Sequence, residues 1–259
     1  MIICADDYGL SDDVDRAILE LCSLGRLSAV SCMVALERCT ASDLKKLLAH
    51  QGRVDVGLHL CFADETLPGF PAYGPYLRRS LSGRISARET FLQVARQYEM
   101  FLQKCGRRPD YLDGHLHAHQ LPGVRQGLIK FVLTLPANAR PYIRNTREPL
   151  RNIRRGKLPW LKTAFIGAFG KRMLSDLRAV GLPTNDGFAG LYNFRDWQKY
   201  PGYFPRFVAC LGERNGILVV HPGGKEDWRR REFETLRDFP FAPDSVRRFQ
   251  FPTSRKEKN

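Results

Sequence analysis

Residues 1–25 read MIICADDYGLSDDVDRAILELCSLG, and the change of period inside this stretch sets the architecture. Met1–Ala5 is a short apolar run of strand character. Beyond it Val14, Ala17, Ile18, Leu21 and Cys22 follow the i, i+3, i+4, i+7, i+8 spacing of one helix face, and Gly25 stands where such a helix terminates. Ser11 and Asp12 are well placed to cap it. The chain therefore opens with a strand-to-helix unit whose crossing carries two adjacent carboxylates, Asp6 and Asp7.

The same alternation continues. Strand candidates are MIICA, LSAVSCMVAL, VDVGLHLCF, DYLDGH, RPYIRN, LPTNDGF and GILVVH, separated for the most part by helical periods. Ser86-Ala-Arg-Glu89 is a capping-box sequence that opens a second clear helix, with Phe91, Leu92, Ala95, Tyr98 and Leu102 on its apolar side and Gly106 and Pro109 closing it. Residues 63–85, rich in Pro, Gly and Ser, read as a long loop of the kind that covers active sites. No glycine-rich phosphate loop follows the first strand, so the α/β pattern predicts a distorted (β/α) barrel of about seven parallel strands rather than an open doubly wound sheet. Residues 1–250 are expected to form one domain and residues 251–259 a flexible basic tail.

With 43% hydrophobic residues in 259, the chain has enough apolar side chains for a substantial core. Its seven cysteines are scattered without a CxxC pair, as buried thiols in a reducing compartment would be. No charged and apolar leader precedes the first strand, and no apolar stretch approaches the roughly 20 residues that span a bilayer, so a cytoplasmic location with at most peripheral membrane contact is expected. The net charge is +14, and Arg144, Arg147, Arg151, Arg154, Arg155, Lys157, Lys162, Lys171 and Arg172 crowd one segment opposed by Glu148 alone. That segment, residues 144–173, is a candidate docking surface for anionic lipid or a phosphate-bearing substrate. Within it Phe165, Ile166 and Phe169 suit the core-facing side of a barrel helix.

Five of the six histidines fall at predicted strand ends: His59 in VGLHL, His115, His117 and His119 in DGHLHAH (113–119), and His221 in VVHPGG; His50 is the exception. Together with Asp6, Asp7 and Asp113 they would converge on one face of a barrel. Adjacent carboxylates allow one to bind a metal while its neighbour accepts a proton. A carboxylate and two imidazoles leave open coordination positions, as hydrolytic sites require, and this mixed donor set suits Zn²⁺ better than Mg²⁺ or Mn²⁺. The three histidines of 115–119 share a face only if the strand persists, which Gly114 and Pro122 oppose.

ADDYGLS, VGLHL, RRPDYLDGHLHAHQLP and VVHPGG, in this order and at these separations, resemble the YdjC-like carbohydrate deacetylases, relatives of the polysaccharide deacetylases. The resemblance spans residues 1–224 and implies a distorted barrel that binds one divalent metal and removes the acetyl group from an N-acetylated sugar. It implies Asp7, His59 and His115 as metal ligands, Asp6 as catalytic base and His221 as the acid; His117 and His119 are left either to support the ligands from behind or to contact substrate, and Asp113 to contact substrate. Gly114 and Leu116 stand where that family has Ser and His. Two other classes compete. A glycoside hydrolase needs its carboxylates roughly 5–9.5 Å apart across the sugar, whereas Asp6 and Asp7 are neighbours. A nucleic-acid-binding protein matches the charge, but no binding motif is present and the basic cluster lies away from the histidines.

Overall fold

The computed structural model describes residues 1–148, 160–211 and 215–251. Seven parallel strands, β1 (Ile2–Tyr8), β2 (Ala29–Cys32), β3 (Asp55–Leu60), β4 (Tyr111–Gly114), β5 (Tyr142–Ile143), β6 (Gly187–Ala189) and β7 (Gly216–Val220), curl in the order β5-β4-β3-β2-β1-β7-β6. Among the described residues the two edges are joined by one isolated bridge, from Ile143 of β5 to Thr184 just ahead of β6. Side-chain amides finish the seam. The Asn145 backbone N–H donates to Asn185 Oδ1 (2.8 Å), and Asn185 Nδ2 donates to the Asn145 carbonyl (2.9 Å). Each asparagine thus stands in for backbone groups the strands lack, and the sheet becomes a distorted (β/α) barrel.

All seven predicted strands are present, most of them shorter than their apolar runs, while β1 extends three residues further, through Tyr8. The first helix, Asp12–Ser23, has Ser11 as N-cap and buries Val14, Ala17, Ile18, Leu21 and Cys22. Two expectations change. Residues 63–85 contain a helix, Tyr73–Leu81, whose Pro75 sits in the first turn, where a missing N–H is tolerated. The helix Ala87–Cys105 is capped by Ser86 and ended by a left-handed Gly106, but it buries Thr90, Val94, Gln97, Tyr98, Phe101 and Cys105, and Leu92 is 58% exposed. The buried face is rotated because Gln97 exchanges two hydrogen bonds with the backbone of Cys61, at 2.9 and 2.8 Å.

Period-two alternation sorts the strand residues into two cores. Ile3, Ala5, Val30, Val56, Leu58, Leu112, Ile143, Leu218 and Val220 pack outward under the helices, whereas Ile2, Cys4, Ala29, Tyr111, Tyr142, Phe188, Ile217 and Val219 fill the barrel. Phe249 closes the lower end: its ring stacks on Tyr142 with centroids 3.9 Å apart, its backbone N–H donates to Asp55 (2.9 Å), and Arg248 pairs with the same carboxylate. Continuing each inward register toward the strands' C-terminal ends brings up Asp6, Ser31, His59, Asp113 and Arg144. Six of the seven cysteines are buried, and the described residues contain no disulfide and no helix long and apolar enough to cross a membrane.

Gly57 faces the barrel interior, where an added Cβ would lie 2.3 Å from the ring of Tyr111, a ring pinned by stacking on Tyr142 and by its hydroxyl's contact with Ser31 (2.8 Å). Gly57→Ala should therefore destabilise the fold by about 1–3 kcal/mol. Gly202→Ala, in the helix Tyr200–Cys210 with nothing within 4 Å of the added carbon, should be neutral or stabilising by up to about 1 kcal/mol. Urea denaturation of the two variants checks the opposite signs.

Candidate active site

Asp6 follows the inward register of Ile2 and Cys4, so a regular strand would turn Asp7 outward. Instead Asp7 adopts a left-handed backbone (φ 71°), and the strand register shifts between Ala5 and Tyr8. This kink brings both carboxylates into one site. A second departure lies after β4, where the chain leaves the strand at Gly114 and turns through Leu116 (φ 52°) and His117 (φ 57°). The turn delivers His115 and His117 to the cavity and sends His119 behind it. Room for His119 exists because residue 114 is glycine: a Cβ there would sit 2.9 Å from the His119 Cβ.

Asp7 Oδ1 lies 3.0 Å from His115 Nδ1 and 3.5 Å from His59 Nε2, and one ligand atom from each of these residues fits within 4.8 Å of the others. Each imidazole turns its other nitrogen to a carboxylate, His59 Nδ1 to Asp113 (2.7 Å) and His115 Nε2 to Asp64 (2.8 Å). That is how metal-binding histidines are oriented. Charge points the same way. Among the described residues Asp6, Asp7, Asp64 and Asp113 meet two guanidiniums, Arg144 and Arg229, and otherwise imidazoles, which when neutral leave two negative charges to be balanced. Burial opposes a charged imidazole at His59, yet Asp113 and Asp6 overcome it and raise its pKa to about 10; Asp7 and Asp64 likewise raise His115 against burial. The surrounding carboxylates favour positive charge between them, which a divalent cation would supply, so donor set and charge both fit such an ion. A second cluster, Cys4, Asp6 and Asp113, is different. The Arg144 guanidinium already fills it, 2.6 Å from Asp6 and 3.0 Å from Asp113.

Burial would raise Asp6, but Arg144 binds both of its oxygens (2.6 and 2.7 Å) and holds the carboxyl well below the usual range. Arg229 Nη2 does the same for Asp7 at 2.8 Å, helped by His115. His221 Nε2 stands 3.9 Å from Asp6 Oδ2. Burial, against the pull of Asp7 and Asp6, lowers His221 to about 4 and lowers His117 well below the usual imidazole value.

These groups line a cavity of about 380 Å³ that contains Asp6, Asp7, His59, His115, His117 and His221. Asp113 and His119, both 0% exposed, stand behind it. Asp113 orients His59, and His119 Nε2 donates to the Arg144 carbonyl (2.9 Å). A larger hollow of about 440 Å³, on the far side of residues 61–71, holds none of this set. Sequence reasoning passed over Arg144, Asp64, Arg229, Glu232 and Trp228. Arg144 in particular belongs to the barrel interior, not to a docking surface: it is 0% exposed and pairs inward. Its signal was present in RPYIRN, two residues beyond the inward Tyr142. Arg151, Arg154, Arg155 and Lys157 lie outside the described residues, as do the side chains of Trp160 and Lys162. Phe165, expected to face the core, is 48% exposed at the cavity mouth beside Leu116, which is 40% exposed.

Carbohydrate deacetylases from Mus musculus and Homo sapiens are 29% and 30% identical to this chain over 219 residues; each alignment covers 74% of this chain and, respectively, 65% and 62% of theirs. A chitooligosaccharide deacetylase from Escherichia fergusonii is 26% identical over 132 residues, covering 48% of this chain and 52% of its own. The chain thus spans less than two thirds of the length of these relatives. A crystal structure from Enterococcus faecalis V583, of a protein named for cellobiose-phosphate cleavage, superposes with a TM-score of 0.64 at 17% identity, covering 91% of this chain and 89% of that one, and shares the fold. The profile of the YdjC-like proteins matches residues 1–244, and the chain belongs to that family.

Proposed function

We propose that the protein is a metal-dependent N-deacetylase that hydrolyses the acetamide of an N-acetylated sugar to acetate and an amino sugar. The observation that carries this reading is the convergence of Asp7, His59 and His115 with an adjacent carboxylate outside that trio, Asp6, and a histidine, His221, on one cavity. The names of the mammalian and bacterial relatives support it.

Asp7, His59 and His115 would hold one divalent ion, Zn²⁺ by the softness of two imidazoles or Mg²⁺ by the surrounding carboxylates. Such an ion supplies Lewis acidity toward a carbonyl and lowers the pKa of water toward roughly 7. Asp6, kept ionised by Arg144, takes the proton of the attacking water. That clamp also weakens Asp6 as a base, which ties its usefulness to an acidified water. As the amide C–N bond breaks, the proton taken by Asp6 passes to His221, a neutral imidazole in the resting site whose Nε2 stands 3.9 Å from Asp6 Oδ2, and from Nε2 to the departing nitrogen. His117 lines the cavity as a neutral imidazole able to accept or donate a hydrogen bond to a sugar hydroxyl. Asp113 and His119 act from behind, through His59 and the Arg144 backbone.

A finer reading concerns the substrate. Leu116, Phe165, Ile166 and Leu191 make one side of the cavity aliphatic and aromatic, and two of them stay exposed at the mouth. Sugars offer few apolar faces for such a wall. It suits a glycan carried on an alkyl anchor, and anionic groups on that carrier would suit the basic residues of the 144–173 segment.

Elemental analysis should find about one metal per chain in Asp6→Asn together with a turnover loss of about 10²–10⁴, the usual worth of a general base. Asp7→Asn, His59→Ala and His115→Ala should come out empty; metal-free Asp6→Asn with loaded Asp7→Asn would reverse the two roles. His117→Ala should keep its metal and lose about 10- to 100-fold in activity.

For the substrate, Leu116→Asp with Phe165→Asp should raise KM for an alkyl-anchored N-acetylated sugar at least several-fold and leave KM for a free N-acetylated oligosaccharide unchanged. An equal effect on both would remove the alkyl anchor from the reading.

A further inference from the structure

Residues 61–71 form a partition with space on both faces. Asp64 from this segment and Tyr73 just beyond it line the cavity that holds Asp7 and the histidines, whereas Cys61, Phe62, Phe70 and Tyr76 line the hollow of about 440 Å³ behind it. The two spaces share no lining residue. The helices Tyr73–Leu81 and Ala87–Cys105 supply the other walls. At that size the hollow falls within the roughly 300–1,000 Å³ of small-molecule sites.

Its polarity is divided. Phe62 and Tyr76 are buried at the floor, their rings 6.4 Å apart and inclined by 21°, and Ile85 and Met100 add aliphatic surface. Gln97, buried beside them, spends its amide on the backbone of Cys61. The floor therefore suits an apolar group. The rim carries Arg79, Arg96 and Glu89, all exposed, and among the described residues neither guanidinium is held in an ion pair. Two positive charges against one negative leave this rim cationic, and the planar fork of arginine matches carboxylate and phosphate oxygens. Burial pushes the Tyr76 hydroxyl up, with Glu89 adding to the effect and Arg79 opposing it, so it stays a neutral donor in the same hollow.

We propose that this hollow is a second binding site, for an organic anion whose apolar body rests on the Phe62 and Tyr76 floor and whose carboxylate or phosphate meets Arg79 and Arg96 at the rim. It is separate from the cavity that faces His115 and does not depend on what is hydrolysed there. A neutral sugar would need hydrogen bonds from the floor, and the buried amide there is already engaged. The occupant lies against the back of the segment whose front holds Asp64 2.8 Å from His115 Nε2. That segment is closed by local turn bonds, from Leu67 N–H to the Asp64 carbonyl and from Phe70 N–H to the Leu67 carbonyl, of the kind that opens without global unfolding. Filling the hollow steadies residues 64–70 and, through Asp64, the orientation of His115.

Methyl-labelled methionine gives a readout in the full chain that needs no activity, because Met100 lines the hollow and the other methionines do not. Hexyl phosphate or hexanoate should shift the Met100 methyl signal saturably and slow amide exchange across residues 64–70. Hexylamine and hexanol keep the body without the negative charge, and inorganic phosphate keeps the charge without the body; each should bind at least about 10-fold more weakly. Arg79→Glu with Arg96→Glu should weaken hexyl phosphate by a similar factor, and Gln93→Trp, at an exposed position on the wall, should fill the hollow and block the shift. A Met100 signal that neither anion moves overturns the proposal. So does hexylamine binding as tightly as hexyl phosphate in the unaltered chain, a comparison that needs no variant to fold. Inorganic phosphate binding as tightly as hexyl phosphate would reduce the site to surface charge and overturn it as well, and unchanged exchange at residues 64–70 in the saturated protein would overturn the link to Asp64.

Discussion

One buried guanidinium holds the upper end of this barrel together. Arg144 is fully enclosed, grips both oxygens of Asp6, and stands 3.0 Å from Asp113. Asp113 also accepts from Ser31 (2.6 Å) and orients His59, which in turn faces Asp7. A single cation thus links β1, β2, β3, β4 and the end of β5. Removing one member of such a buried network leaves uncompensated charge and costs about 3–5 kcal/mol, a large share of the roughly 5–15 kcal/mol that stabilises a domain. Site and fold depend here on the same contact, so a variant at Arg144 would confound loss of chemistry with loss of structure.

The sequence made the architecture legible because strand and helix periods are local properties. Val14 to Cys22 is buried on the predicted face, and the strand ends carry the predicted carboxylates and histidines. Where a residue's place depends on tertiary partners, legibility fell. Charge alone groups Arg144 with its basic neighbours, although the alternation Tyr142-Ile143-Arg144 aims it inward. Gln97 displaced Leu92 from the buried side of its helix because the backbone of Cys61 needed two partners, a demand no helical pattern expresses. Asp64, Arg229 and Glu232 come from a loop and a terminal helix with no motif around them, and only the fold brings them to the site.

Asp7, Leu116 and His117 share a different origin of illegibility. Each is a non-glycine residue in the left-handed region, a conformation costing about 1–3 kcal/mol apiece. Side-chain direction in a strand alternates, so two neighbouring residues reach the same cavity only if the backbone between them is forced. The force is visible at Asp7, whose carboxylate is held by Arg229 and His115. Of the four described non-glycine residues with this backbone, three face the cavity and Asp244 does not, a bias expected if the site were set in advance of its ligand.

The aromatic floor of the barrel bears on the order of assembly. Phe249 reaches an Asp55 that lies 194 positions earlier in the chain and stacks on Tyr142. During synthesis, at about 5–20 residues per second, β1 to β5 emerge well before this ring. Until it arrives, the inner faces of Tyr111 and Tyr142 are open from below, and the half-built sheet exposes apolar surface of the kind chaperones bind. The nascent barrel is therefore open to misassociation in the interval after Tyr142 has emerged and before Phe249 seals its base.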